Sequence, residues 1–191
     1  MSELGSGVTG ADHPVQDAFS HLAASPSTQV HTTTDAAATR ALAAQLAAVL
    51  QAGQVIALRG DLGAGKTTFV QGLAAGLGYA GSVTSPTFIL VNEYPLPGRR
   101  RLVHIDAYRL GDAGAATLEE AATFGLDEIL AADDAIVAIE WSERIAAALP
   151  DDFLLVELDA TGPDERRISI SALGKRSEAA LAQLDVGEAA P

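Results

Sequence analysis

At 191 residues, 48% hydrophobic but only 5% aromatic, the chain is long enough for one domain with a core built mainly from aliphatic side chains. A formal charge of −13 and a pI near 4.5 argue against nonspecific nucleic-acid binding by this chain alone, because phosphate backbones demand clustered Lys and Arg. The absence of cysteine excludes disulfides and thiolate metal sites and fits a reducing, cytoplasmic compartment, and no run of about 18 apolar residues predicts a membrane span.

The segment 1–30 is rich in Ser, Gly, Ala and Pro and lacks an uninterrupted apolar stretch, so it is expected as a flexible tail and not a signal peptide. The domain proper is expected over 31–174. Within Asp35 to Leu50, Leu42, Leu46, Val49 and Leu50 recur at i, i+4, i+7 and i+8, which predicts a helix with Thr34 or Asp35 as N-cap. Gly53 ends the connection, and Gln54 to Arg59 is an apolar run of strand length.

The next residues, Gly60-Asp61-Leu62-Gly63-Ala64-Gly65-Lys66-Thr67, fit the phosphate-binding P-loop pattern G-x-x-x-x-G-K-[ST] at every fixed position. Glycines let consecutive backbone N–H groups point at phosphates, and the following helix offers its positive end to the same anion. Lys66 would reach the β- and γ-phosphates of a nucleoside triphosphate, and Thr67 would offer its hydroxyl to Mg²⁺. After the loop, Val70, Leu73, Ala74 and Leu77 recur at helical spacing, with Gly78 as C-cap. A glycine turn whose lysine merely caps a helix would not need this strand, turn and helix context.

Further along, Phe88 to Tyr94 and Arg101 to Asp106 are strand-like runs joined by Pro95 to Arg100, a spacing that suits an antiparallel hairpin and is too short for a helical crossover. Thr117 to Leu130 reads as a helical segment interrupted near Gly125, and Ala135 to Ile139 as a central strand buried on both faces. Two more strands are expected at Phe153 to Leu158 and Arg166 to Ser171, separated by the turn-prone Thr161-Gly162-Pro163-Asp164. A short helix over Ser177 to Leu184 would occupy the C-terminal segment 175–191. The sum is an α/β chain with a mixed parallel and antiparallel sheet.

Phosphoryl transfer needs carboxylates beside the P-loop, and ligands of open α/β sheets collect at the carboxyl ends of strands. Glu140 follows the central apolar strand and is a candidate Mg²⁺ ligand, directly or through water; otherwise it is an N-terminal charge for a helix starting near Ser142. Asp106 ends the second hairpin strand, where it either orients or deprotonates the attacking water or forms a plain ion pair with Arg109. Arg109 could instead face the phosphates. Thr84-Ser85-Pro86-Thr87 is either a nucleotide-sensing switch or a structural turn. His104, a lone strand histidine, stays outside the catalytic set, and Trp141 is a packing anchor or part of a partner surface.

Four blocks therefore occur in order: Gly60 to Phe69, Thr84 to Phe88, His104 to Leu110, and Ile139-Glu140-Trp141. Together, and with Leu118 to Glu120 and Phe124 to Glu128, they resemble the TsaE family, also called YjeE, of bacterial P-loop ATPases over about His31 to Leu173. That resemblance implies a three-layer P-loop NTPase fold and an accessory ATPase that uses ATP and Mg²⁺ in the pathway installing threonylcarbamoyl on the adenosine beside the tRNA anticodon. Its implied partners are TsaB and TsaD, with tRNA engaged only through that complex and no membrane involved. On this chain it implies Asp61, Leu62, Gly63, Ala64, Gly65, Lys66, Thr67 and Thr68 around the phosphates, Thr67 and Glu140 at Mg²⁺, and Asp106 as a second essential acid. It further implies Thr87 near the nucleotide, and Thr34 to Thr39 with Arg167 near the adenine. Two other functions share the loop: a small-molecule kinase, whose lid would draw on the basic run Arg99-Arg100-Arg101, and a nucleotide-gated interaction module with negligible turnover.

Overall fold

The computed structural model describes residues 19, 27–85, 91–110, 119 and 121–184. Its strands in chain order are β1 (Ser27–Thr33), β2 (Val55–Arg59), β3 (Val91–Leu96), β4 (Arg100–Asp106), β5 (Ala135–Glu140), β6 (Phe153–Ala160) and β7 (Arg166–Leu173). They form one seven-stranded sheet in the order β1-β7-β6-β2-β5-β4-β3. The inner strands β6, β2, β5 and β4 run parallel, while β1, β7 and β3 join antiparallel. Helices α1 (Ala36–Val49), α2 (Lys66–Gly76), α3 (Leu126–Leu130) and α4 (Lys175–Leu181) complete an α/β architecture.

The parallel strands read as unbroken apolar runs because both faces are covered. Ile56, Leu58, Leu102, Ile136, Ala138, Leu154 and Val156 point to the side of α1 and α2, where they meet Leu46, Phe69, Val70 and Leu73. Their neighbours Val55, Ala57, Val103, Ile105, Val137, Ile139 and Phe153 point to the opposite side, where Leu126 and Ile145 cover them. A strand's two-residue period then places His104, Asp106 and Glu140 on the α1 and α2 side, the side from which the P-loop helix springs.

Local chemistry fixes the helix ends. Asp35 caps α1 by accepting from the Ala38 N–H at 2.7 Å. Past α2, Gly78 takes φ 91°, and the Tyr79 and Gly78 amides return to the carbonyls of Ala74 and Ala75 at 2.9 and 3.0 Å. That is a Schellman ending, which a glycine adopts without steric penalty.

Strand β1 is not anticipated by composition. It begins at Ser27, inside the segment 1–30 expected as a tail, and most of its side chains are small and polar. An edge strand needs little apolar pattern when its neighbour sets the register; here β7 does so, with Thr28 hydrogen-bonding Ser171 at 2.8 Å. The hairpin connection is also shorter than expected, because β3 continues through Pro95 and Leu96 and leaves Pro97–Arg99 as the turn. Proline is tolerated there because β3 is the sheet's edge. The predicted strand start at Phe88 and the helical start at Thr117 lie outside the described residues. Among the described residues no helix is long and apolar enough to cross a membrane.

Candidate active site

The P-loop leaves the carboxyl end of β2 and enters α2 at Lys66. Gly60, Gly63 and Gly65 take φ of 142°, 82° and 104°, values that favour glycine. Gly60 is also required sterically, since a Cβ there would collide with the Leu158 carbonyl oxygen of β6. Ala64 is buried, Asp61 and Gly63 are exposed, and Leu62 projects from the loop tip with 81% of its surface open.

Lys66 is the unusual group. Its side chain is buried, and its ammonium donates to the Gly60 carbonyl at 2.5 Å and the Asp61 carbonyl at 3.0 Å. The same nitrogen lies 3.7 Å from the centroid of the Trp141 ring, a cation–π contact. Burial pulls its pKa below the usual lysine value, while Glu140, Glu143, Asp106 and Asp61 push it back up.

The Thr67 hydroxyl donates to both oxygens of Glu140, at 2.8 and 3.0 Å. Glu140 Oε1 also meets Nε2 of the fully buried His104 at 2.8 Å. Across the β4 and β5 register, Asp106 sits opposite Glu140. Its Oδ2 accepts from Ser85 Oγ at 2.6 Å and its Oδ1 from the Tyr108 amide at 3.0 Å. Threonine hydroxyl and carboxylate oxygens, adjacent and hard, are the donor set that Mg²⁺ prefers, so these residues fit that ion. A cleft of about 470 Å³ opens between these groups, lined also by Thr68, Tyr108, Arg109 and Trp141.

The turn after β5 ties the site's loops together. Trp141 holds a left-handed conformation at φ 58°, with its ring over the Lys66 ammonium and tilted against that of Tyr108 at a centroid distance of 5.0 Å. Ser142 donates to the Leu58 carbonyl at 3.2 Å, and Arg144 donates to the Leu110 carbonyl at 2.7 Å. Glu140, which one reading made a helix-capping charge, has its carboxylate on Thr67 and His104 instead.

Between them lies Glu143, whose Oε2 is buried with no hydrogen-bond partner among the described residues. Burial pushes its pKa up, against smaller opposing effects of its own backbone, Lys66, Arg59 and Arg144. A raised carboxyl pKa in the folded state contributes stability below the ordinary carboxylate range and loses it as pH rises through the raised value. Glu143→Gln is therefore expected to raise Tm relative to the wild type, with a gap that widens from pH 5 to pH 8 in thermal melts. A gap that is flat or shrinks with pH would refute this.

Lys66, Thr67, Thr68, Asp106 and Glu140 thus meet at one cleft. Thr87 lies outside the described residues. Arg167 is exposed and outside both clefts, whereas Arg166 donates to the Ala64 carbonyl at 3.0 Å and the Gly63 carbonyl at 3.2 Å. Adjacent strand residues face opposite sides of the sheet, so the one-residue difference decides which arginine reaches the loop. Arg166 joins Ala36, Thr39, Gly63, Gly65, Thr68 and Asp164 around a second, smaller cleft of about 110 Å³ beside the P-loop. His104 is the site residue that sequence reasoning set aside; only its position two residues before Asp106 on one strand face hinted at it.

Comparison with known proteins identifies the chain's relatives. The family model described as "Threonylcarbamoyl adenosine biosynthesis protein TsaE" matches residues 33–168. The Bacillus subtilis protein named "tRNA threonylcarbamoyladenosine biosynthesis protein TsaE" is 41% identical over 140 residues, covering 73% of this chain and 83% of its own. A Streptomyces coelicolor protein of the same name is 39% identical over 142 residues, covering 72% and 92%. The crystal structure of Bacillus subtilis YdiB superposes with a TM-score of 0.71 at 33% identity, covering 85% of this chain and 97% of that one.

Proposed function

This chain belongs to the TsaE family of tRNA threonylcarbamoyladenosine biosynthesis proteins, and we propose that it acts there as a cytoplasmic, Mg²⁺-dependent P-loop ATPase supporting turnover of the TsaB and TsaD pair. The observation that carries the reading is the Thr67 hydroxyl seated on the Glu140 carboxylate, beside a P-loop lysine and at the mouth of one cleft.

In this reading the P-loop amides and the start of α2 bind the phosphates, and Lys66 exchanges the Gly60 and Asp61 carbonyls for phosphate oxygens. Thr67 and Glu140 would hold Mg²⁺, which neutralises charge on the phosphates as it develops. Asp106, fixed by Ser85 and the Tyr108 amide, orients the attacking water and takes up its proton. The adenosine end lies toward Thr39 and Arg166. With a formal charge of −13, tRNA is engaged through the partners.

A kinase lid finds little support. Arg100 and Arg101 begin β4, and Asp106 ends it, so the basic run is roughly 20 Å from the site at about 3.3 Å per residue. Arg101 is instead engaged on the surface with Glu93 and Asp134.

Phosphate release from Mg-ATP, measured for the full chain alone and with TsaB plus TsaD, tests the proposal. We expect stimulation by the pair, toward the roughly 10³ to 10⁵ fold that a partner's stabilising group gives GTPases, and its loss in Glu140→Ala. No stimulation with ATP binding intact would favour the nonhydrolytic switch, and labelled γ-phosphate appearing on a metabolite would favour the kinase.

A further inference from the structure

We propose that His104 is a positioning residue that fixes the carboxylate of Glu140 for the divalent cation, an inference that rests on the ATPase reading above. His104 lies on β4 between Asn92 of β3 and Ala138 of β5, two residues before Asp106 and on the same face. Its ring is completely buried, and its one described hydrogen bond runs from Nε2 to Glu140 Oε1 at 2.8 Å. Because a carboxylate oxygen accepts, Nε2 carries the proton. Nδ1 is buried with no hydrogen-bond partner among the described residues.

An imidazole that served only packing would be poorly matched to this place, because an apolar side chain would fill it without stranding a buried nitrogen. What the imidazole adds is a fixed donor on one oxygen of Glu140. The Thr67 hydroxyl has a single proton, which it shares between Oε1 at 2.8 Å and Oε2 at 3.0 Å. A hydroxyl that turns its lone pairs toward a cation still has only one proton for one carboxylate oxygen, whereas the His104 N–H holds Oε1 whichever way that proton points. With Oε1 on the imidazole, Oε2 is the oxygen that would be left to hold the cation or its water.

The imidazole is itself held. Tyr94, also on the α1 and α2 side, places its ring centroid 6.4 Å from that of His104. The Tyr94 hydroxyl donates to the Thr84 carbonyl at 3.2 Å, next to the Ser85 that binds Asp106. Glu140 is thus held by a β4 side chain flanked by Tyr94 of β3, and the same tyrosine bonds the backbone next to Ser85, the partner of Asp106. Residues that orient a metal-binding group through a hydrogen bond typically influence metal affinity 10 to 100 fold.

The test is binding of a fluorescent ADP analogue to the full chain, titrated with Mg²⁺ and repeated in EDTA. His104→Leu and His104→Asn, whose amide is too short to reach Glu140, are expected to raise the Mg²⁺ half-saturation about tenfold or more, with EDTA binding unchanged. His104→Gln, whose amide nitrogen matches the reach of Nε2, is expected to restore it to within about threefold of wild type. The Asn variant decides the matter should Leu fail to fold. Wild-type-like Mg²⁺ dependence in both Asn and Gln variants would overturn the inference while leaving the ATPase reading intact. Wild-type binding indifferent to Mg²⁺ would overturn both.

Discussion

Lys66→Met is expected to lower partner-stimulated phosphate release by at least about 10², the usual cost of removing one preorganised charge stabiliser from a transition state. Methionine keeps most of the aliphatic stem but supplies neither a donor nor the charge that rests over the Trp141 ring. In the free protein the ammonium is buried, and desolvation already pulls its pKa down, so its removal relieves a cost while leaving the Gly60 and Asp61 carbonyls without it. These opposing effects are each on the order of 1 to 3 kcal/mol, so the change in Tm is expected to stay within about 4 °C. Function and stability therefore separate at this residue. The measurement is phosphate release with TsaB and TsaD beside a thermal melt of the same preparation; stimulated turnover within tenfold of wild type would remove Lys66 from the mechanism.

The loop and its flanks were legible because their chemistry is local. Glycines at positive φ, a lysine and a threonine in fixed order, and an apolar run on either side need no distant partner to be recognised. The same holds for β5, whose unbroken apolar residues announce burial on both faces. What escaped depends on register. His104 reaches Glu140 only because β4 and β5 align Asp106 with Glu140, a pairing between residues far apart in the chain. Arg166 and Arg167 are equivalent in composition, and only the strand's alternation sends one to the P-loop and the other to the exposed side. Strand β1 escaped for the converse reason: its polar side chains carry almost no pattern, and β7 provides its register.

Register also explains why one short turn governs so much of the site. The residues after β5 touch the end of β2 through Ser142, Leu110 beyond the turn that follows β4 through Arg144, and the P-loop lysine through Trp141. These three contacts connect the P-loop, proposed to bind phosphate, to the segment around the acids proposed to act on it. Trp141, read from sequence as either packing anchor or partner surface, is here a lid on the lysine, and its half-buried ring still borders the open cleft.

The largest stability effect is expected from Gly72→Leu, at the crossing of α1 and α2. A Cβ at Gly72 would lie 2.7 Å from both the Arg40 Cα and the Ala43 Cβ and would also strike the Arg40 carbonyl, so backbone and not a mobile side chain blocks the space. Gly76 repeats the close approach one turn later, with the Ala44 Cα and Ala47 Cβ at 2.7 Å. Two small residues on α2 thus let α1 pack backbone to backbone against it. Helix propensity favours leucine over glycine by nearly 1 kcal/mol, whereas overpacking a well-filled contact costs about 1 to 3 kcal/mol and more when backbone must move. The steric cost wins. A net loss of about 2 kcal/mol would lower Tm by roughly 4 to 8 °C in a chain of this size. Because α2 begins at Lys66, a displacement of α2 that relieves the clash also moves Lys66 and Thr67 relative to Glu140. Gly72→Leu should therefore lose Mg-ATP binding below its melting temperature as well as stability. Unchanged Tm and unchanged nucleotide affinity would show that the helix crossing neither limits the fold nor sets the position of the P-loop.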